Sequence, residues 1–131
     1  MANVMFWGTQ SRQRELKMVH LKVAIGATGA PTLDATASLG VASIERTSAG
    51  LYKITMTDKY ASLVGVQVTQ MYSSITQNVK FQLKDETVAT TKILNLWCLA
   101  ATNSSTTTLA ATELTDGCTL YMTLLLKNTS V

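Results

Sequence analysis

Apolar and polar residues alternate in several stretches of this chain, and a period of two predicts β-strands that are buried on one face. The first stretch begins at Met18, and its predicted inward residues are Val19, Leu21, Val23 and Ile25. Further strands are predicted over 38–46, 51–57, 64–72, 79–84 and 118–127. The pattern therefore predicts an all-β chain.

The segments between these strands are predicted to be turns and loops. Asp58 is a residue type that caps helices, and it predicts a short helical turn over 59–63. Small residues predict a loop over 26–37, and Asp85 with Glu86 is predicted to form an exposed turn. The other predicted turns and loops are 47–50, 73–78 and the Thr- and Ser-rich segment 101–117.

One stretch, residues 92–100, is apolar at both alternating sets of positions. A strand of this kind lies in the centre of a sheet or in a subunit interface. Because the chain has few charges, we expect self-association, with a homotrimer as the hypothesis. The residues predicted to mediate it are Ile93, Leu94, Leu96 and Trp97.

The first 17 residues show no regular period and predict an extended N-terminal arm. An apolar group, Val4 to Trp7, is followed by a polar and basic stretch, as in segments that dock onto a partner. The alternative is that Phe6 and Trp7 pack back onto the protein's own sheet. Residues 18–131 are then one domain, predicted to be a single antiparallel β-sandwich or a jelly-roll-like barrel.

The net charge of +3 comes entirely from residues 1–22, because the basic and acidic groups of residues 23–131 balance. Three charges release too few counterions for firm nucleic-acid binding, so no direct nucleic-acid contact is expected. A basic arm suits an acidic protein surface instead. The residues predicted to bind that surface are Phe6, Trp7, Arg12, Arg14 and Lys17.

Residues for catalysis or metal binding are scarce in this chain. With one His and two Cys, a four-ligand His/Cys zinc site is excluded. Phosphate-binding, calcium-binding and nucleophile-elbow motifs are missing from the sequence, and a catalytic role for His20 is not expected. We therefore expect a protein that is not an enzyme and that holds no metal or cofactor.

The apolar stretches are too short for a signal peptide or a membrane span. Synthesis in the cytoplasm is therefore expected, with Cys98 and Cys118 as reduced, buried thiols. Thr and Ser together make up 31 of the 131 residues. Thr suits the solvent-facing side of a strand, so the surface is predicted to be uncharged and rich in hydroxyl groups.

The segment 39–66 resembles small virion-associated proteins of tailed bacteriophages. It carries Ile44-Glu-Arg46, then Gly50-Leu-Tyr52, and continues with alternating residues to Asp58, Tyr60 and Leu63. The end of the chain, an apolar strand followed by Lys-Asn-Thr-Ser, is also similar to theirs. The best-fitting members are capsid decoration, or cement, proteins, which are small all-β modules that are often trimeric.

The resemblance implies a structural protein on the outer capsid surface of the virion, made in the host cytoplasm, whose partner is the major capsid protein. A tail, head-fibre or host-attachment module is the alternative, although such proteins usually show repeats or a long stalk. A small β-sandwich enzyme or a carbohydrate-binding domain is a third hypothesis. For Trp97 we expect core packing rather than a sugar-stacking platform.

Overall fold

The computed structural model describes residues 16–73, 79–101 and 109–128, and in this part of the chain the backbone forms nine strands and one 3₁₀ turn. The elements are β1 (Leu16–Ile25), the 3₁₀ turn (Ala27–Gly29), β2 (Pro31–Leu33), β3 (Val41–Ser48), β4 (Leu51–Met56), β5 (Ser62–Met71), β6 (Val79–Thr87), β7 (Ile93–Ala101), β8 (Leu109–Ala111) and β9 (Thr119–Lys127).

These strands form two antiparallel sheets that pack face to face, which confirms the predicted all-β sandwich. The first sheet, sheet A, has the order β2-β1-β9-β5. The second, sheet B, has the order β3-β4-β7-β6, with β8 paired to the end of β7. Alternate residues of the inner strands fill the space between the sheets, and the most deeply buried include Val23, Tyr52, Ile54, Leu94, Leu120 and Leu124.

The strands predicted from the clearest alternation have the predicted orientation. All four predicted inward residues of β1 are buried, as are the alternating residues of β4 and β9. The doubly apolar stretch 92–100 corresponds to β7, which lies between β4 and β6 in the centre of sheet B. Its predicted central position is confirmed.

The helical turn predicted after Asp58 is wrong. Residues 57–61 are bends and extended chain, and β5 begins at Ser62. The backbone N–H of Tyr60 donates to the carbonyl of Val88, and that of Ala61 donates to the carbonyl of Lys127. These long-range bonds use the N–H groups that a helical turn would have needed, so tertiary pairing overrides the local capping signal.

Three other predicted boundaries also differ from the structure. The predicted loop 26–37 contains β2, which pairs with the end of β1. The pair Asp85 and Glu86 is exposed as expected but lies inside β6. The predicted loop 101–117 contains β8 and the buried residue Leu114. In these segments β2, β6 and β8 pair with the strand that precedes or follows them in sequence, and small or charged residues conceal that pairing from a pattern based on alternation.

The two lateral edges of the sandwich differ. At one edge, called here the closed side, β2 and β3 lie in contact and the connecting chain covers the core. The hydroxyl of Ser38 in this connection is buried; it accepts a hydrogen bond from the backbone N–H of Lys22 at 2.9 Å and donates one to the carbonyl of the same residue at 3.3 Å. At the other edge, the open side, β5 faces β6 and the inward side chains of both strands are only half-buried or exposed.

Candidate binding site

A groove of about 1110 Å³ runs along the open side, between β5 of sheet A and β6 of sheet B. This volume exceeds the roughly 1,000 Å³ upper end of small-molecule sites, and the walls are partly exposed to solvent. An extended peptide segment therefore suits the groove better than a small molecule. The half-buried apolar side chains along its walls are Leu63, Val66, Val68, Val79 and Phe81.

Strand β5 forms one wall and is the outermost strand of sheet A. Its ten residues carry no charge, and the backbone edge that faces away from β9 has no partner among the described strands and borders the groove. An irregularity in the pairing with β9 between Leu63 and Gly65 leaves Val64 as an extra residue, which is 56% exposed. Native edge strands are usually protected by charged residues, so a long uncharged edge is a ready site for strand addition.

Strand β6 forms the opposite wall and carries charged residues. A second pairing irregularity, between Leu83 and Asp85, makes Lys84 the extra residue. As a result Glu86 is paired with the buried Leu94 and lies on the inward face of β6, where it lines the groove. Because residues 60 and 88 are hydrogen-bonded to each other, Glu86 lies at the end of the groove where β5 begins.

The outer face of sheet B is the second candidate surface, and it contains part of the predicted self-association set. Ile93 and Trp97 lie on this face and are half-buried, and the amine of Lys84 lies 5.7 Å from the centre of the Trp97 ring. Leu94 and Leu96 point into the core and have almost no exposed area. These two residues therefore cannot contact a second subunit while the sandwich is intact.

The core position predicted for Trp97 is also wrong, because the core-facing residues of β7 are the alternate ones, such as Leu94 and Leu96. The Trp97 side chain lies on the face of β7 opposite to Leu96 and Cys98, which face the core. Alternation along a doubly apolar strand cannot show which set of residues faces inward. A single indole below one lysine is not by itself a sugar-binding arrangement.

Most of the predicted capsid-binding residues lie outside the described part of the chain, namely Phe6, Trp7, Arg12 and Arg14. Lys17 is described. It lies in β1, which begins two residues before the predicted start, and it is paired with Leu126 of β9 and exposed. Lys17, in sheet A, therefore lies in a different sheet from the self-association residues of β7 in sheet B.

His20, Cys98 and Cys118 all lie within strands or in the core of the sandwich. Nδ1 of His20 lies 3.1 Å from the Thr123 hydroxyl on the outer face of sheet A. Cys98 and Cys118 are free thiols in the core, as predicted, and burial raises the pKa of Cys98 to about 12. Burial also raises the pKa of Cys118. Both thiols are therefore protonated and unreactive at neutral pH.

The described residues contain no group of three or more His, Cys, Asp or Glu side chains arranged to hold a metal ion. Among them, too, no helix is both long and apolar enough to cross a membrane.

Comparisons with protein-family models, with curated proteins and with solved structures gave no match to this chain.

The groove was missed by the sequence reasoning, although one signal for it was present. Residues 62–71 contain no charged residue, whereas 79–87 contain four. That difference marks β5 as unusual for an edge strand, but only the strand order shows that it is at an edge. The inward position of Glu86 depends on the irregularity at Lys84, and a strictly alternating pattern does not predict it.

Proposed function

We propose that this protein is a structural component of a tailed-bacteriophage virion that binds the outside of the icosahedral capsid and stabilises it across major capsid protein subunits. The observation that carries the proposal is the open side of the sandwich, where a long uncharged edge strand borders a peptide-sized groove. Such an edge favours binding to extended protein segments, as expected for a structural protein with permanent partners.

The residues that carry the phage resemblance indicate a similar packing of the sandwich rather than a similar binding surface. Of the quoted pattern, Ile44, Tyr52 and Tyr60 are buried in the sandwich core. Arg46 is partly exposed and forms an ion pair with Glu113. The pattern therefore describes how the β3–β4 hairpin packs, and the proposed capsid contact has to come from other residues.

The proposed anchor to the capsid is the basic N-terminal segment, with Phe6, Trp7, Arg12 and Arg14 as contact residues and Lys17 at its base. Residues 1–22 carry the whole net charge, so an acidic capsid surface would attract this segment, more weakly at high salt. Aromatic residues supply much of the binding energy in protein interfaces. Self-association as a homotrimer, through Ile93 and Trp97 on the outer face of sheet B, would let one particle span several subunits.

The test uses purified particles that lack this protein. Intact protein should bind the shells at a copy number that matches the capsid lattice, whereas a few copies at one vertex would support the tail or head-fibre alternative. An Arg12→Ala/Arg14→Ala variant should bind more weakly, with a smaller salt dependence. The matched control is Lys59→Ala/Lys80→Ala, which removes the same charge from the body. If both variants bind like the intact protein, the basic segment is not the anchor.

A further inference from the structure

We infer that the apolar segment Val4 to Trp7 docks in the groove between β5 and β6 of the same chain in the free protein. The inference rests on where β1 begins, on the length of chain that precedes it, and on the charge and polarity of the groove. It concerns the free protein and does not depend on the proposed function.

The start of β1 lies at the same end of sheet A as the entrance of the groove. Leu16 is paired with Lys127, and Lys127 is paired with Ser62, so the first residues of β1 and β5 lie in one row across β9. Two strand spacings separate them, and a strand added to the far edge of β5 lies one spacing farther, about 14 Å from β1 in all. Four or five extended residues span this distance at ~3.3 Å each. The chain that precedes Leu16 can therefore reach the entrance at about residue 12.

The remaining length places the apolar segment over the apolar walls. Val4 to Trp7 precede residue 12 by five to eight positions, which is roughly 17–26 Å of extended chain. The ten residues of β5 extend about 30 Å from the same entrance. A segment that enters at Ser62 therefore brings Phe6 and Trp7 beside the Val66 and Val68 part of the groove.

The charges of the groove complement those of the N-terminal segment. Glu86 lies on the inward face of β6 at the entrance of the groove. Arg12 would lie at this entrance, Arg14 would precede it on the side of β1, and the residues Val4 to Trp7, which would lie deeper, are all uncharged. A carboxylate at the entrance and an uncharged interior favour a segment that is basic near β1 and apolar farther away.

The direction of the chain also suits β5. A segment that leaves β1 and turns into the groove runs antiparallel to β5, since β1 and β5 are both antiparallel to β9. Antiparallel addition to the outer edge of β5 would pair backbone groups that no described strand covers. The segment would also cover the half-buried side chains of both walls.

Docking in the groove and anchoring to a capsid use the same two aromatic residues, so they cannot occur together. The groove would hold Phe6 and Trp7 away from water before assembly, and the capsid contact would require their release. Measurements on free protein test only the groove, and measurements on particles test only the anchor. Failure of one proposal is therefore distinguishable from failure of the other.

Tryptophan fluorescence of the full chain gives a direct test, because the protein has two tryptophans. In a Trp97→Phe variant, Trp7 is the only tryptophan, and an aromatic ring remains below Lys84. We expect Trp7 emission to be blue-shifted relative to the same variant in denaturant, with reduced quenching by acrylamide. Emission and quenching equal to those in denaturant would overturn the inference.

A second set of variants locates the docked segment. In the Trp97→Phe background, Val66→Lys puts a charge on the groove wall and should abolish the blue shift. Gln67→Lys, which adds the same charge at the neighbouring exposed position, should leave it unchanged. Equal spectra for the two variants would contradict the proposed site. Circular dichroism checks that both variants are folded.

An independent pair of variants leaves the apolar walls intact. Glu86→Lys should weaken docking and make quenching of Trp7 stronger, whereas Asp85→Lys, on the outer face, should have little effect. If both variants resemble the parent, the entrance carboxylate has no role and the charge argument fails. Finally, a blue shift that disappears on dilution, together with a loss of mass in light scattering, would assign the segment to a second copy and overturn docking within one chain.

Discussion

The core of the sandwich is covered differently at its closed side and at its open side. On the closed side, the chain between β1 and β3 crosses from one sheet to the other, adds β2, and buries Ser38 against the backbone of β1. On the open side, β5 and β6 face each other and leave Leu83 and Val64 exposed by 37% and 56%. The closed side is sealed by covalently connected chain, and the open side presents apolar residues to whatever binds there.

This difference indicates where stability and where binding are located. Buried hydrogen bonds and full burial at the closed side fix the relative position of the sheets. The half-buried residues of the open side contribute less to the folded state because they keep part of their contact with water. Substitutions matched in chemistry and placed on the two sides should therefore have unequal effects.

The largest difference is expected between two Gly→Ala variants. Gly50, in the turn between β3 and β4, has a φ of 68°, and a Cβ there would lie 2.6 Å from the backbone N of Thr112 and 2.8 Å from the carbonyl of Cys98. Gly50→Ala should lower the free energy of unfolding by at least about 3 kcal/mol. At Gly65, in β5, a Cβ would meet only a Leu125 methyl at 3.7 Å. Gly65→Ala should change it by less than about 1 kcal/mol.

Urea unfolding measures both effects. Similar losses at the two positions would mean that the backbone near Gly50 can move away from the added carbon, and the contrast between the packed centre of sheet B, where Gly50 contacts β7, and the open side would be weaker than the structure indicates.

Two Val→Ala variants give the next largest difference. Val23 of β1 is fully buried beside β2, and Val68 of β5 is half-buried in the groove wall. Val23→Ala should cost about 2 kcal/mol, from lost burial and the cavity that remains. Measured in a Phe6→Ala/Trp7→Ala background, which removes the two aromatic side chains proposed to dock there, Val68→Ala should cost less than about 1 kcal/mol, because solvent reaches this position. In that background, a Val68→Ala cost that equals the Val23→Ala cost would show that other residues fill the groove.

The smallest effect concerns the hydrogen bond that joins β4 to the closed side. The buried hydroxyl of Tyr52 donates to the carbonyl of Gly29 at 2.9 Å, and burial raises the pKa of Tyr52 from 10.0 to about 12. The corresponding stability is fully present below pH 10 and is lost as the pH rises through 12. Tyr52→Phe should cost about 1–2 kcal/mol at pH 7 by leaving this carbonyl without its partner.

Thermal unfolding between pH 9 and 12 tests this account. The intact protein should lose stability over this range, and Tyr52→Phe should lose less, with the remaining loss shared by Cys98, whose pKa is raised to about 12, and by Cys118 and Tyr60, whose pKa values burial also raises. A Cys98→Ala variant isolates the contribution of Cys98. Identical alkaline profiles for all three proteins would exclude Tyr52 and Cys98 as the cause.

The sequence predicts those features of the fold that depend on local periodicity. The inward faces of β1, β4 and β9 and the central position of β7 follow from alternation and from a doubly apolar run. Asp58 shows the limit, since its local capping signal is overridden by backbone bonds from Tyr60 and Ala61 to distant strands. Side-chain period and local propensity carry no information about such partners.

The candidate site was less predictable than the fold. The half-exposed state of Phe81 follows from the edge position of β6, and the inward position of Glu86 follows from the irregular pairing at Lys84. Strand order is a property of the whole chain, and an irregularity shifts the alternation without a clear residue signature. Of the predicted self-association residues, Leu94 and Leu96 were indistinguishable by pattern from the outward-facing Trp97.

The position of β9 has a consequence for how the protein forms during translation. It is the last of the described strands, and it lies between β1 and β5, with His20 paired to Thr123 across 103 positions of sequence. Until β9 leaves the ribosome, β5 has no neighbour in sheet A, whereas the four main strands of sheet B are already synthesised. Sheet B can therefore assemble first, while the uncharged β5 remains unpaired and prone to non-native association. The nascent chain is most exposed to misassembly in this interval, and a slow ribosome would lengthen it.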